Sequence, residues 1–150
     1  MIKIISFVDS FKHYDEAIKE FQKRLGKNVD FIKLKPSKKK NISEIIDEET
    51  NILKKNLEKI KGFKVLLFIN GKTFDSLEFS KFLEEKQTKF SDIIFIVGGA
   101  YGVDFEKIRD LIDFNFSFSP MTFPHSQAIM MLYEQIYRSE TIKKGSSYHH

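Results

Sequence analysis

The sequence predicts an α/β fold: a mostly parallel sheet with helices on both faces. Three observations carry that expectation. Short apolar runs rich in β-branched and aromatic residues alternate with longer stretches whose apolar residues recur every three or four positions. The alternation repeats in the order βαβαβαβαβα, the signature of parallel strands joined by crossover helices. The chain has 150 residues, enough for one domain with a core of its own.

The first strand is read over Lys3–Val8. Tyr14, Ala17, Ile18, Phe21 and Leu25 then share a helical face, with Asp9 and Ser10 as candidate caps. Val29–Leu34 reads as a second strand and Pro36–Asn41 as a basic loop. A helix over Ser43–Ile60 has Ile46, Leu53, Leu57 and Ile60 on one side. Lys64–Ile69 is a third strand ended by the turn pair Asn70-Gly71. Phe79, Phe82 and Leu83 follow at helical spacing, and Asp75 with Glu78 suits a capping box. Asp92–Val97 is the strongest strand and runs into Gly98-Gly99-Ala100-Tyr101-Gly102. A short helix with Ile108, Leu111 and Ile112 inward leads to Phe114, Phe116 and Phe118, which alternate with polar residues as a strand does. The last helix is read over His125–Ser139. Its segment Ala128–Tyr133, including Leu132, is apolar all round, which predicts burial on every side. A second copy of the chain would supply the outer cover; deep seating between neighbours of the same chain is the alternative.

Composition narrows the function. Hydrophobic residues make up 41% of the chain and cysteine is absent, so disulfide frameworks, thiolate metal sites and cysteine nucleophiles are excluded. The apolar runs are far shorter than a membrane span, and the first residues lack a signal-peptide pattern, so a cytoplasmic protein without membrane attachment is expected. No metal-ligand spacing stands out. The net charge of +4 is unevenly placed. The first forty residues carry 11 Lys or Arg against 5 Asp or Glu, with a cluster at Lys33, Lys35, Lys38, Lys39 and Lys40. Such a cluster either holds phosphates by charge or is a solvated loop.

Two loops are candidates for ligand binding. The glycine loop at residues 98–102 follows a strand and precedes a helix, where ligands bind in open α/β sheets. It is neither GxGxxG nor a Walker loop, so a ligand without phosphates suits it better than a dinucleotide. The second, Ser119-Pro120-Met121-Thr122-Phe123-Pro124-His125, is stiffened by two prolines. It offers backbone polar groups, a hydroxyl and apolar faces suited to an adenine-sized ligand. Glu134 and Arg138 stand four apart on the last helix, at pairing distance.

At these residues the chain resembles a known family. Phe95-Ile96-Val97-Gly98-Gly99-Ala100-Tyr101-Gly102, Ser117-Phe118-Ser119-Pro120-Met121-Thr122-Phe123-Pro124-His125, Glu134-Gln135-Ile136-Tyr137-Arg138 and Gly145-Ser146-Ser147-Tyr148-His149 are similar, in order and spacing, to the motifs of the RlmH family of SPOUT-class methyltransferases. The resemblance implies a C-terminal trefoil knot, a rare exception to the rule against knots. It also implies a homodimer and S-adenosyl-L-methionine as methyl donor. The implied target is N3 of pseudouridine 1915 in helix 69 of 23S rRNA, within the assembled 70S ribosome. By position, Leu67, Gly99, Ser119, Pro120, Met121, Thr122, Phe123 and Pro124 match the donor-binding residues. Arg138, Tyr148 and His149 match the substrate side, with His125 beside the donor loop. The tail of one subunit would complete the pocket of the other. One position departs from the pattern: Ile129 stands where the family usually has an arginine. A SPOUT methyltransferase for another RNA site, or a ribosome-binding module without catalysis, remain the rival readings.

Overall fold

Strands and helices alternate from end to end: β1 (Ile2–Phe7), α1 (Asp15–Leu25), β2 (Val29–Leu34), α2 (Ile42–Lys59), β3 (Phe63–Thr73), α3 (Ser76–Lys89), β4 (Ile93–Val97), α4 (Phe105–Ile108), β5 (Phe114–Ser117) and α5 (His125–Lys143). The computed structural model describes residues 1–150. The five strands form one sheet in the order β2-β1-β4-β3-β5, and every neighbouring pair is parallel.

The period-two pattern of the central strands builds two cores, one on each face. Ile2 and Ile4 of β1 and Ile93, Phe95 and Val97 of β4 meet Ile18 of α1, Phe79 and Leu83 of α3, and Ile129, Leu132 and Ile136 of α5. The alternate residues, Ile5, Phe7, Ile94 and Ile96, meet Leu53 and Leu57 of α2 and Ile108 of α4. Helices therefore cover both faces, as the alternation predicts. The capping box expected at Asp75 and Glu78 is present at the start of α3, each side chain accepting the other's backbone N–H, at 2.7 and 2.8 Å. Asn41 caps α2 through the Glu44 amide.

Three local expectations are corrected. Asp9 and Ser10 do not cap α1, because a 3-10 turn over Lys12–Tyr14 intervenes and the helix begins at Asp15 without a side-chain cap. Asn70-Gly71 does not end β3. Leu67 and Lys72 both stand opposite Phe116 of β5, so residues 68–71 arch out of the sheet before pairing resumes at Lys72 and Thr73. Gly71 is required there, because a Cβ would lie 2.7 Å from the backbone of Asn115 and Phe116. The last helix runs on to Lys143, and Lys144 caps it through the Glu140 carbonyl. In the segment Ala128–Tyr133, Ala128, Ile129, Leu132 and Tyr133 are buried by their own chain, with α1 and α3 flanking α5, while Met130 and Met131 stay half-buried. The inner side of this all-round apolar segment is thus met within the monomer, and Met130 and Met131 mark its outer side. Ile129 is fully buried among core residues, so the position serves packing here.

Candidate functional site

In a parallel sheet the carboxyl ends of all strands lie along one edge, and the loops that leave them meet there. At the ends of β3, β4 and β5 they enclose a cavity of about 430 Å³. Its walls include Leu67, Gly99, Ser119, Met121, Thr122, Phe123 and His125, which brings together residues from three separate stretches of sequence. Pro120 and Pro124 do not line it; both are exposed and shape the loop instead. Pro124 holds the N-cap position of α5, where its carbonyl accepts the Ala128 N–H. Phe68 and Ile69 of the β3 arch also form wall, as do Tyr101, Val103 and Ala128. The arch was hidden in sequence because Asn-Gly reads as a turn.

Both loops are held by hydrogen bonds of their own. Ser117 Oγ donates to the Ser119 carbonyl at 2.9 Å and accepts the Ser119 N–H, while Ser119 Oγ accepts the Met121 N–H at 3.0 Å. In the glycine loop the Gly102 N–H donates to the Gly99 carbonyl at 3.1 Å, and Gly102 takes φ +81°. The loop's far end is anchored where the Asp104 N–H donates to Thr50 Oγ1 of α2 at 3.0 Å. Beside Thr50, Glu49 is buried, with its Oε2 accepting the Ser37 N–H at 3.0 Å and its Oε1 unpaired against Gly99. Burial pushes the Glu49 carboxyl above its ordinary range, against the Ser37 hydrogen bond. Sequence reading missed this residue. The signal was a polar pair, Glu49-Thr50, on the inward stripe between Ile46 and Leu53.

No Lys, Arg, Asp or Glu lines the cavity. His125 is its one titratable wall residue besides Tyr101. Burial and the nearby Lys12 hold the His125 imidazole below its ordinary range, while a hydrogen bond with the Phe7 carbonyl acts the other way. The neutral form of the ring is therefore favoured.

Arg138, Tyr148 and His149 form a second cluster. Glu134 Oε1 accepts Arg138 Nε at 2.9 Å and the Tyr148 hydroxyl at 3.2 Å, so the pairing read from the i,i+4 spacing is present. The Arg138 guanidinium stands 4.9 Å from the centre of the Tyr148 ring, and its Nη1 lies 3.3 Å from His149 Nδ1. Since arginine can only donate, the lone pair on His149 faces it at Nδ1. Burial and Glu134 push the Tyr148 phenol above its ordinary range. None of these three residues reaches the cavity of its own chain. Arg138 is 13 residues beyond His125 on α5, which at the helical rise is about 20 Å.

The chain matches the family model described as predicted SPOUT methyltransferase over residues 1–149. The chain belongs to the SPOUT methyltransferase family. Its relatives within that family include proteins named ribosomal RNA large subunit methyltransferase H. The one from Caldicellulosiruptor saccharolyticus is 35% identical over 99% of each chain. Those from Streptococcus gordonii and Fusobacterium nucleatum are 35% and 34% identical over 92% of this chain and 91% of theirs. The RlmH resemblance read from the C-terminal motifs thus extends over nearly the whole chain. No helix of this SPOUT protein is long and apolar enough to cross a membrane.

Proposed function

We propose that the protein transfers a methyl group from S-adenosyl-L-methionine to N3 of pseudouridine 1915 in helix 69 of 23S rRNA, acting on the assembled 70S ribosome in the cytoplasm as a homodimer. The observation that carries the reading is the cavity at the sheet's carboxyl edge. It is apolar, of ligand size, and has no cation to neutralise a phosphate. Family relatives named as ribosomal RNA methyltransferases supply the reaction class and the RNA.

The residues present fit the donor. A side chain at Gly98 would press on Gly102 Cα at 3.1 Å, so glycine there keeps the turn tight, while the space beside Gly102 is open. Leu67, Gly99, Ser119, Met121, Thr122 and Phe123 would hold it, with Pro120 and Pro124 keeping their loop in shape. When bound, the donor supplies an electrophilic methyl group on a sulfonium. The C-terminal trefoil knot implied by the family would be the threading that sets these loops side by side.

The separation along α5 bears on the dimer. Donor walls and the Arg138–Tyr148–His149 cluster stand at opposite ends of one helix, so a single copy does not join them. A second copy would complete each site with its tail. Met121, 74% exposed, and Tyr101, 52% exposed, leave an apolar rim for it to cover. The N3 proton must leave as the methyl group is transferred, because a neutral imide nitrogen is a poor nucleophile. Tyr148, kept as a phenol that donates to Glu134, orients. His149 accepts the proton at Nδ1, exchanging its contact with Arg138 for the one with N3. Arg138 stabilises charge developing on a flanking carbonyl oxygen.

The test is methyl transfer from labelled donor to free 23S rRNA, separate subunits and whole ribosomes, with primer extension to locate the product. N3 methylation blocks pairing and stops the polymerase. Transfer to 70S ribosomes with a stop at the helix 69 pseudouridine is expected. Transfer to another RNA site, or donor binding without transfer, would overturn the target.

A further inference from the structure

The basic loop after β2 opens on the same edge of the sheet as the donor cavity, because all five strands are parallel. Lys33, Lys35, Lys38, Lys39 and Lys40 are exposed, and none pairs with a carboxylate. The loop is not loosely tethered. Lys33 Nζ donates to the Asp9 carbonyl at 2.7 Å, the Lys39 N–H donates to Ser37 Oγ at 3.1 Å, and the Ser37 N–H donates to Glu49 Oε2. The other carboxyl oxygen of Glu49 is buried, without a partner, and lies against Gly99. An unpaired buried carboxylate oxygen is destabilising, so its placement calls for a reason. Glu49 touches both the basic loop and the glycine loop, whose strands are two sheet spacings apart, about 10 Å.

We propose that the Lys33–Lys40 segment is a seat for RNA backbone phosphates and that Glu49 is the positioning residue that sets this seat against the donor cavity. The inference rests on the RNA methyltransferase reading. Phosphates on the lysines would place the target nucleotide along the sheet edge, and Glu49 would keep that placement in register with the methyl donor. Lysine suits the task, since its point charge holds phosphate without reading bases.

Four proteins decide it: the wild type, the triple variant Lys38→Ala/Lys39→Ala/Lys40→Ala, Glu49→Ala and Glu49→Gln. Three readouts are taken: the salt dependence of binding to a helix 69 RNA fragment, the Kd for S-adenosyl-L-methionine by calorimetry, and kcat and KM for methyl transfer to ribosomes. The triple variant should bind the donor as the wild type does, while the slope of log K against log salt for RNA falls by about 2, at roughly 0.7 for each phosphate no longer neutralised. An unchanged slope would return the lysines to a solvated loop. Glu49→Ala should bind donor and RNA within about threefold of wild type, yet lose at least tenfold in kcat. Glu49→Gln, which can still accept the Ser37 N–H, should restore most of it. A merely structural Glu49 would lower the melting temperature and leave kcat alone, which would overturn its role. Should Glu49→Ala fail to fold, a kcat for folded Glu49→Gln as low as one-tenth of wild type would count against a role that needs only the acceptor. Absence of transfer by the wild type would sink the underlying reading instead, so the two failures are distinguishable.

Discussion

Gly99→Ala is the smallest change that tests whether the glycine loop is held from below. Gly99 does not have positive φ, so alanine brings no backbone strain there. The effect is steric. The added methyl would overlap Glu49 Oε1, stand 3.2 Å from Glu49 Cδ and touch Phe7 Cβ at 3.4 Å. Glu49 is 3% exposed and tied to the Ser37 N–H at 3.0 Å, so it cannot swing into solvent without breaking that bond. Either Glu49 yields or the loop does. Overpacking of this kind costs about 1–3 kcal/mol. If the loop yields, the donor's seat is distorted with it, and about 1.4 kcal/mol of weakened binding is tenfold in affinity. Urea unfolding and calorimetric titration with S-adenosyl-L-methionine should find Gly99→Ala less stable by about 1–3 kcal/mol, with a Kd raised roughly tenfold. The double variant Gly99→Ala/Glu49→Ala should recover donor affinity, because the obstructing carboxyl is gone. Gly102→Ala is the contrast: nothing lies within 4 Å of its Cβ position, but its φ of +81° strains any alanine whether or not Glu49 is present. A Gly99→Ala protein with wild-type stability and affinity would refute the steric argument.

Three further outcomes follow from the same geometry. Leu132→Ala empties a fully buried site on α5 and should cost about 2–5 kcal/mol in denaturant unfolding; a negligible loss would mean that Leu132 faces a partner rather than the core. Glu134→Ala removes the acceptor shared by Arg138 and Tyr148, and should lower kcat for methyl transfer at least tenfold with donor Kd unchanged; equal turnover would separate this cluster from catalysis. The pH dependence of stability should carry the mark of His125. Its imidazole is held below the ordinary value of 6.5, so the unfolded chain binds a proton that the folded one resists. The contribution of neutral His125 is complete above that value and is lost as pH falls through the depressed one. His125→Gln should flatten this part of the stability curve between acidic and neutral pH, and an unaltered curve would show that the ring titrates freely.

Much of the fold was legible along the chain because it depends on local periodicity. Val29–Leu34 matches its strand at both ends, the Asp75–Glu78 box begins α3, and the alternation of strand and helix specified a parallel sheet. Where local signals were ambiguous, tertiary contacts decided. Asn70-Gly71 has the chemistry of a turn, yet β5 pairs on both sides of it and converts it into an arch that walls the cavity. Ala128–Tyr133 is apolar all round, and tertiary contacts sort its sides: the sheet, α1 and α3 bury Ala128, Ile129, Leu132 and Tyr133, while Met130 and Met131 stay half-buried.

The site divides along the same line. The sequence by itself pointed to the two loops as ligand candidates and to a ligand without phosphates, since residue types and phosphate-binding patterns are properties of short segments. The strand order β2-β1-β4-β3-β5 is not written in any segment. It alone decided that Leu67, Gly99 and Thr122 share one cavity. It also decided that a carboxyl on α2 lies under Gly99. A buried contact between residues 50 apart depends on how the layers stack, and no local periodicity encodes that.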